Sequence, residues 1–133
     1  MGYQLVSYVS SKTTTWPGMS IGENCLISSN TIISSFAKIG HIVLIGEGCV
    51  IPHFTVIKEH CFLSAGVILS GRVTVEPYCF LGTNSTVRNE VTIGRECIIG
   101  AGAIILEDTE ERGVYMGKPA DRLPISSNEL TVG

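Results

Sequence analysis

One histidine in an aliphatic stretch is the strongest candidate for chemistry in this sequence. His53 lies in the segment "IGEGCVIPHFTVI", directly between Pro52 and Phe54. Imidazole titrates near neutral pH, so its neutral form can take a proton from an attacking amine or hydroxyl group. The alternative is a histidine that is merely solvated at a turn. The choice between the two depends on how the chain is organised around His53.

The other candidates are two more histidines, a carboxylate and five cysteines. If the fold stacks their segments, one face would carry His41, Glu59 and His60. These side chains would form a polar surface cluster or, as a less favoured alternative, a set of metal ligands. The odd number of cysteines disfavours a closed set of disulfides, and no C-x-x-C pair supports a zinc site. We therefore expect no bound metal.

Length and composition predict one globular domain with a single core. The chain has 133 residues, of which 44% are hydrophobic and 16% charged. The net charge of −3 provides no basic surface for nucleic acid. The sequence contains neither an apolar segment long enough to span a membrane nor a secretory signal at its N-terminus. We expect a cytoplasmic protein.

An aliphatic residue recurs at every sixth position from Ile21 to Ile105, fifteen times without a break. Neither the helical period of 3.6 nor the strand period of 2 produces this spacing. Short strands joined by corners that always turn the same way do produce it, with three strands in each coil of eighteen residues. The sequence thus predicts an all-β fold, a parallel β-helix of nearly five triangular coils.

The repeat also predicts the surroundings of the candidate residues. The position two before each aliphatic residue is small or β-branched, apart from Met19, and should point inward. All five cysteines occupy it, which makes them core residues. Residues eighteen apart become vertical neighbours, so Gly71 lies directly above His53 at a corner of the coil. A glycine above an imidazole leaves space, and an accessible backbone N–H, for a carbonyl oxygen.

The pattern "[aliphatic]-G-x-x-[small]-x" resembles the hexapeptide-repeat family of left-handed parallel β-helices. Within that family, "GCVIPHFTVIKEHCFLSAGVILSGRVTVEPYCFLGTNSTV" and "IGAGAIILEDTEERGVYMGKPADRL" are similar to sugar acyltransferases, including UDP-amino-sugar N-acetyltransferases and sialic-acid O-acetyltransferases. The resemblance implies left-handed coils and transfer of an acetyl group from acetyl-CoA to an amino or hydroxyl group of a sugar or nucleotide-sugar. It also implies that His53 is the general base, with the Gly71 N–H as our candidate for binding the oxyanion.

The resemblance further implies where acetyl-CoA binds. In the family the pantetheine arm lies in a groove between adjacent β-helices, and the corresponding contacts here are Phe62, Gly71, Thr83 and Ala101. Lys118, in the closing "GKPA" segment, is a candidate counter-ion for the CoA phosphates. Active sites of the family lie between protomers of a trimer, so we expect a homotrimer.

Two positions depart from the family pattern. Relatives often carry a carboxylate directly after the catalytic histidine, where this chain has Phe54, and a second histidine near the acyl group, where it has Phe62. These departures keep a second hypothesis open, a non-catalytic or degenerate trimeric scaffold. A third is a metal-dependent lyase like the carbonic anhydrases that share this fold, although the histidine spacing fits it poorly.

The repeat also sets the expected boundaries within the chain. We expect a partial coil over residues 1–20, the β-helix over 21–107, and a strand and tail over 108–133, because Glu111 stands where the next aliphatic residue belongs. Many relatives carry an N-terminal nucleotide-binding domain, and the repeat here begins too early to leave room for one. The expected trimer would cover apolar walls that include four phenylalanines, Phe36, Phe54, Phe62 and Phe80.

Overall fold

The structure is a computed structural model and describes residues 6–130 of the chain. Its regular elements are short strands of two residues each, followed by one 3-10 helix at Ser127–Glu129. No helix within residues 6–130 has the length and apolar character needed to cross a membrane. In chain order the strands are β1 (Tyr8–Val9), β2 (Thr14–Thr15), β3 (Ser20–Ile21), β4 (Leu26–Ile27), β5 (Ile32–Ile33), β6 (Lys38–Ile39), β7 (Leu44–Ile45), β8 (Val50–Ile51), β9 (Val56–Ile57), β10 (Phe62–Leu63), β11 (Ile68–Leu69), β12 (Thr74–Val75), β13 (Phe80–Leu81), β14 (Thr86–Val87), β15 (Thr92–Ile93), β16 (Ile98–Ile99), β17 (Ile104–Ile105) and β18 (Val114–Tyr115).

The strands form three parallel sheets, which are the three walls of a prism. Wall A contains β1, β4, β7, β10, β13, β16 and β18; wall B contains β2, β5, β8, β11, β14 and β17; wall C contains β3, β6, β9, β12 and β15. From β1 to β17, strands that are three apart in the chain pair with each other, and the paired residues are eighteen apart. The predicted parallel β-helix of hexapeptide repeats is confirmed, and its geometry is consistent with the left-handed winding that the resemblance implies.

The core fills the inside of the prism with the residues that the repeat places there. The second residue of almost every strand from β4 to β17 is an aliphatic side chain with little or no exposure to solvent. The small slot between strands is buried as well, and the five cysteines in it are all free thiols. Their predicted place in the core is confirmed. Several of these thiols donate to carbonyl oxygens of the next coil, as Cys49 Sγ does to Ser64 O at 3.1 Å.

The corners contain bulky residues in an unfavourable backbone conformation. Positive φ favours glycine, yet side chains such as Phe36, Phe54 and Tyr78 adopt it here, with φ of 61°, 56° and 63°. Stacking between coils compensates for the unfavourable backbone, since these rings pack on their neighbours. The glycine that follows an aliphatic position serves close packing instead. A Cβ on Gly46 would lie 2.7 Å from Ala65 N in the coil above.

The last coil is shorter than the others. β18 pairs with β16 with an offset of sixteen residues, Ile98 opposite Val114, because two residues are missing from the turn. Backbone hydrogen bonds from Ile98 N–H to Gly113 O at 3.0 Å and from Gly100 N–H to Tyr115 O at 2.7 Å continue the ladder of wall A. After β18, most residues up to 130 are exposed.

Candidate functional site

His53 and Gly71 meet at the corner between walls B and C. His53 follows β8 and its side chain is exposed, while Gly71 occupies the same corner one coil above. A Cβ on Gly71 would lie 3.2 Å from Nε2 and 3.4 Å from Cε1 of His53. The imidazole therefore extends upward into the space that the missing side chain leaves, as the eighteen-residue spacing predicts.

The backbone at this corner leaves the N–H groups of His53 and Gly71 available. Arg72 N–H donates to His53 O at 3.2 Å, and Glu90 N–H donates to Gly71 O at 3.0 Å. The N–H of Gly71 itself has no acceptor within residues 6–130. A backbone donor beside the imidazole is the type of group that stabilises a developing oxyanion.

The corner forms a groove of about 260 Å³ lined by His53, Gly71, Arg72, Asn89 and Glu90. Gly71 and Asn89 belong to the column that the sequence predicts above His53. Arg72 and Glu90 were not identified from the sequence, although they lie eighteen and thirty-six residues after Phe54 and therefore share its column. The groove thus combines a possible base, a cation, an amide and a carboxylate.

The residue after His53 belongs to an aromatic stack. The rings of Phe36 and Phe54 lie 5.3 Å apart at 15°, and the guanidinium of Arg72 lies 4.9 Å above the Phe54 ring. His53 contacts the same ring edge-on, with centroids 5.9 Å apart. In the part of the chain that the structure describes, neither imidazole nitrogen of His53 has a hydrogen-bond partner, so no carboxylate orients the ring.

The residues implied for acetyl-CoA do not form one site within a single chain. Phe62 lies on wall A, 40% exposed and stacked on Phe80 at 5.4 Å. Thr83 and Ala101 lie one above the other at the corner between walls A and B, which is a different corner from that of His53 and Gly71. Lys118 follows β18 in an exposed segment. The structure therefore separates the base from most of the implied CoA contacts.

The remaining histidines have local structural partners. His41 Nδ1 accepts a hydrogen bond from Glu23 N–H at 2.8 Å, and the His60 ring stacks on Tyr78 with centroids 4.7 Å apart. No group of three or more potential metal-binding side chains occurs within residues 6–130.

A larger cavity lies at the C-terminal end of the prism. It measures about 460 Å³ and is lined by residues 104–110 and Tyr115. Its polar groups close the last coil: Asp108 accepts from Thr92 N–H at 2.8 Å, and the Tyr115 hydroxyl accepts from Glu110 N–H at 2.9 Å. Because it contains no histidine, the smaller His53 groove is the better candidate site.

Family models agree with the repeat. A model described as bacterial transferase hexapeptide (six repeats) matches residues 72–107, and one described as hexapeptide repeat of succinyl-transferase matches residues 11–35. A search of curated proteins found no match.

Solved structures give broader matches. The acetyltransferase domain of PglB from Neisseria gonorrhoeae FA1090 is 23% identical with a TM-score of 0.85, over 92% of this chain and 60% of that one. A mutant of perosamine N-acetyltransferase from Caulobacter crescentus, in complex with CoA and GDP-perosamine, is 28% identical with a TM-score of 0.85, over 90% and 57%. A mutant of AntD, an N-acyltransferase from Bacillus cereus in complex with dTDP and CoA, is 18% identical with a TM-score of 0.78, over 91% and 81%.

The chain thus spans 60% and 57% of the length of the first two of these proteins. Its similarity to them runs through nine-tenths of its own length. The family models, the uninterrupted repeat and the three parallel walls agree with one another. The chain is a parallel β-helix of hexapeptide repeats, and it is similar in structure to perosamine N-acetyltransferase from Caulobacter crescentus.

Proposed function

We propose that this chain transfers an acetyl group from acetyl-CoA to an amino or hydroxyl group of a sugar or nucleotide-sugar. The observation that carries the proposal is the contact of His53 with the space that the missing side chain of Gly71 leaves, beside a backbone N–H that has no acceptor within residues 6–130. The similar perosamine N-acetyltransferase, described with CoA and GDP-perosamine, supports the same substrate classes.

The geometry supports a direct transfer. The neutral imidazole of His53 takes a proton from the attacking amine or hydroxyl, whose lone pair forms a bond to the thioester carbonyl carbon. The carbonyl oxygen becomes an oxyanion, and the Gly71 N–H donates to it. When the oxyanion collapses, the carbon–sulfur bond breaks and the imidazolium returns its proton to the CoA thiolate. The products are the acetylated sugar and free CoA.

Acetyl-CoA would bind between two copies of the chain. Phe62, Thr83 and Ala101 lie around wall A and its corner with wall B, whereas Gly71 and His53 lie at the corner between walls B and C. One acetyl-CoA molecule could contact both groups of residues if it bound in a cleft between two copies, where wall A of one copy lies next to the His53 corner of the other. Lys118 remains the candidate partner for the CoA phosphates, since it is exposed and cationic.

A homotrimer would supply such clefts. The outward residue of every strand in wall A is large and apolar, namely Tyr8, Leu26, Leu44, Phe62, Phe80, Ile98 and Val114, and all are exposed in the single chain. The outward residues of wall C are Ser20, Lys38, Val56, Thr74 and Thr92. This contrast supports an assembly that covers wall A and leaves wall C in water.

The cytoplasm is the compartment we propose. All five cysteines are free and buried, which is the usual state in a reducing compartment. Acetyl-CoA as acyl donor fits the same location.

A second candidate function, a scaffold without activity, is favoured by a specific observation. Phe54 occupies the position beside His53 where relatives often carry a carboxylate, and the imidazole has no hydrogen-bond partner within the described residues. Phe62 likewise stands where relatives carry a second histidine. A base that nothing orients would be slow, because its ring would sample unproductive rotamers.

Release of free thiol separates the two candidates. The protein is incubated with acetyl-CoA and a panel of free and nucleotide-linked amino-sugars and hydroxyl sugars, and CoA thiol is measured over time. We expect thiol release that requires both protein and one class of acceptor. Acetyl-CoA that binds in calorimetry without any acceptor-dependent thiol release would favour the scaffold instead.

A further inference from the structure

Two opposite charges line the His53 groove without pairing with each other. Arg72 and Glu90 occupy the same corner position in successive coils, eighteen residues apart. At the same vertical spacing, Lys58 and Glu76 form an ion pair at 2.9 Å. No ion pair or side-chain hydrogen bond involves Arg72 or Glu90 anywhere in the described range, 6–130. The spacing therefore permits pairing, yet both groups remain available to a ligand.

Arg72 is held in a fixed orientation by the aromatic stack below it. Phe54 and Arg72 both have positive φ, 56° and 60°, so their side chains leave the corner in the same direction and lie over one another. The guanidinium lies 4.9 Å above the Phe54 ring, which itself rests on Phe36. A guanidinium that lies over an aromatic ring still has N–H donors that point away from the ring, and these match the oxygens of a carboxylate or phosphate.

The stacked arginine is next to the reactive corner. Phe54, which supports Arg72, also contacts the His53 ring, and Arg72 lines the same groove of about 260 Å³ as His53 and Gly71. A sugar whose anionic group binds to Arg72 would therefore lie in the same groove as the imidazole of His53. Glu90 and Asn89, in the coil above, complete the groove with a carboxylate and an amide.

We propose that Arg72 binds an anionic group of the acceptor, a carboxylate or a phosphate, and that Glu90 accepts from its N–H or O–H groups. Phe54 is then a positioning residue that orients the guanidinium, which gives a physical reason for an aromatic ring at this place. The inference rests on the proposed acyl transfer for the identification of the bound molecule as an acceptor. The binding of an anionic sugar at Arg72 is independent of turnover.

Calorimetry without acetyl-CoA tests the binding directly. The full chain is titrated with glucosamine-6-phosphate, glucuronate and glucose, so that phosphate, carboxylate and uncharged sugars are compared. We expect one of the two anionic sugars to bind at least about tenfold more tightly than glucose, and Arg72→Gln to remove that preference. Equal binding of all three sugars, or a preference that survives Arg72→Gln, would overturn the inference.

Arg95 provides a matched control. Its guanidinium lies 5.0 Å from the centroid of the Tyr78 ring, the same arrangement at the corner between walls C and A, away from His53. Arg95→Gln should leave the affinity for anionic sugar unchanged. An equal loss in Arg95→Gln and Arg72→Gln would show that only net charge matters, and would contradict a specific site at Arg72.

Two more variants test the stacking. Arg72→Lys keeps the charge but loses the planar edge, and Phe54→Leu removes the ring below Arg72; each should weaken anionic binding by roughly threefold to tenfold. Acetyl-CoA binding of both variants should match the wild type, and so should thermal unfolding of Arg72→Lys. Phe54→Leu loses the stack on Phe36, so its unfolding temperature should fall but stay above the temperature of the titration. Wild-type sugar affinity in both variants would contradict the positioning role.

The outcomes also separate this inference from the proposed function. If thiol release is observed but Arg72→Gln leaves the KM of the acceptor unchanged, the inference is wrong and the acyl transfer stands. If no thiol is released while Arg72→Gln still abolishes anionic sugar binding, the site is real and the acyl transfer is wrong.

Discussion

At the scale of single residues, the candidate site depends on the missing side chain at Gly71. Its φ is not in the positive region, so the backbone there does not require glycine. What glycine provides is room, because a Cβ would lie 3.2 Å from Nε2 of the exposed His53. The backbone conformation at position 71 therefore tolerates a side chain, whereas the space for His53 does not. Replacing Gly71 by alanine separates these two effects.

Gly71→Ala should lower activity without weakening the fold. The new methyl group crowds His53 and pushes the imidazole out of the groove, so we expect kcat for thiol release to fall about tenfold or more. The free energy of unfolding should stay constant or rise by about 0.5 kcal/mol, because alanine restricts the unfolded chain. Ser35→Ala, at the same corner one coil below His53, is the control. Unchanged kcat in Gly71→Ala would contradict the role of this space.

Much of the site at this scale is predictable from the sequence, but not all of it. The eighteen-residue spacing predicts Gly71 above His53 and Phe54 above Phe36, and both contacts are present. The cation over Phe54 was missed because a corner side chain can leave the prism in several directions. Only the positive φ shared by Phe54 and Arg72 aligns them.

At the scale of the structural element, two threonines in the small inward slot differ in whether their buried hydroxyl is hydrogen-bonded. Thr31 and Thr55 both occupy it and both are fully buried. Thr31 Oγ1 donates to Gly46 O at 3.0 Å, whereas Thr55 Oγ1 has no hydrogen-bond partner among the described residues. The same side chain therefore stabilises one coil and costs free energy in another.

Replacement by valine should have opposite effects at the two positions. Thr55→Val keeps the shape and removes a buried hydroxyl without a partner, so it should raise the free energy of unfolding by about 1 kcal/mol. Thr31→Val leaves Gly46 O without its donor and should lower it by about 1 kcal/mol. Urea denaturation of the two variants measures both values. A change of the same sign in both would contradict this account of the slot.

The repeat predicts the strands well wherever the pattern of inward side chains is regular. The period of six identifies the inward aliphatic residues and the cysteines between them, because each coil must fill the same cross-section. The sequence predicts a strand within 108–133, but the repeat does not give the register of β18, since Glu111 interrupts the period and the strand follows two residues early. Backbone hydrogen bonds continue the ladder at β18, and these bonds do not depend on which side chains the residues carry.

At the scale of the whole molecule, the three walls are not equivalent. The outward residues of wall A are all apolar and those of wall C are mostly polar, although the inward residues of both walls are alike. Selection for the fold alone would not distinguish the outer faces. The difference supports an assembly that buries wall A.

A charge in the middle of wall A should break that assembly. Leu44 points outward from β7 and is 41% exposed in the single chain, so Leu44→Lys should leave the prism folded. Sedimentation should give the mass of three chains for the wild type and a smaller mass for this variant, because an unpaired ammonium is costly in an apolar interface. Thr74→Lys on wall C should retain the wild-type mass. A monomeric wild type would contradict the proposed trimer.

The buried thiols should make the fold sensitive to alkaline pH. Burial raises the pKa of Cys49. The hydrogen bond between Cys61 and Cys79 raises the pKa of Cys79, which burial raises further, and lowers the pKa of Cys61, so this pair partly cancels and Cys49 gives the clearest effect. The folded chain therefore keeps protons that the unfolded chain loses above about pH 8.5, so stability is full below that pH and falls as the pH rises. Each thiol contributes a slope of at most about 1.4 kcal/mol per pH unit.

Urea denaturation between about pH 7 and pH 10 measures this loss. Cys49→Ala removes one of the two thiols and should show a shallower decline over the same range than the wild type. Identical slopes for the two proteins would show that other groups cause the effect.

The most direct test of the whole account is the His53→Ala variant, assayed for turnover and for acetyl-CoA binding side by side. Turnover is measured as acetylated sugar formed with release of CoA thiol, and binding is measured by calorimetry. We predict that His53→Ala lowers turnover by at least about a hundredfold, in line with the loss of a general base, and leaves acetyl-CoA affinity unchanged. His41→Ala, which removes a histidine at another corner, should retain wild-type turnover. Full turnover in His53→Ala would contradict the central claim that this imidazole is the base for acyl transfer.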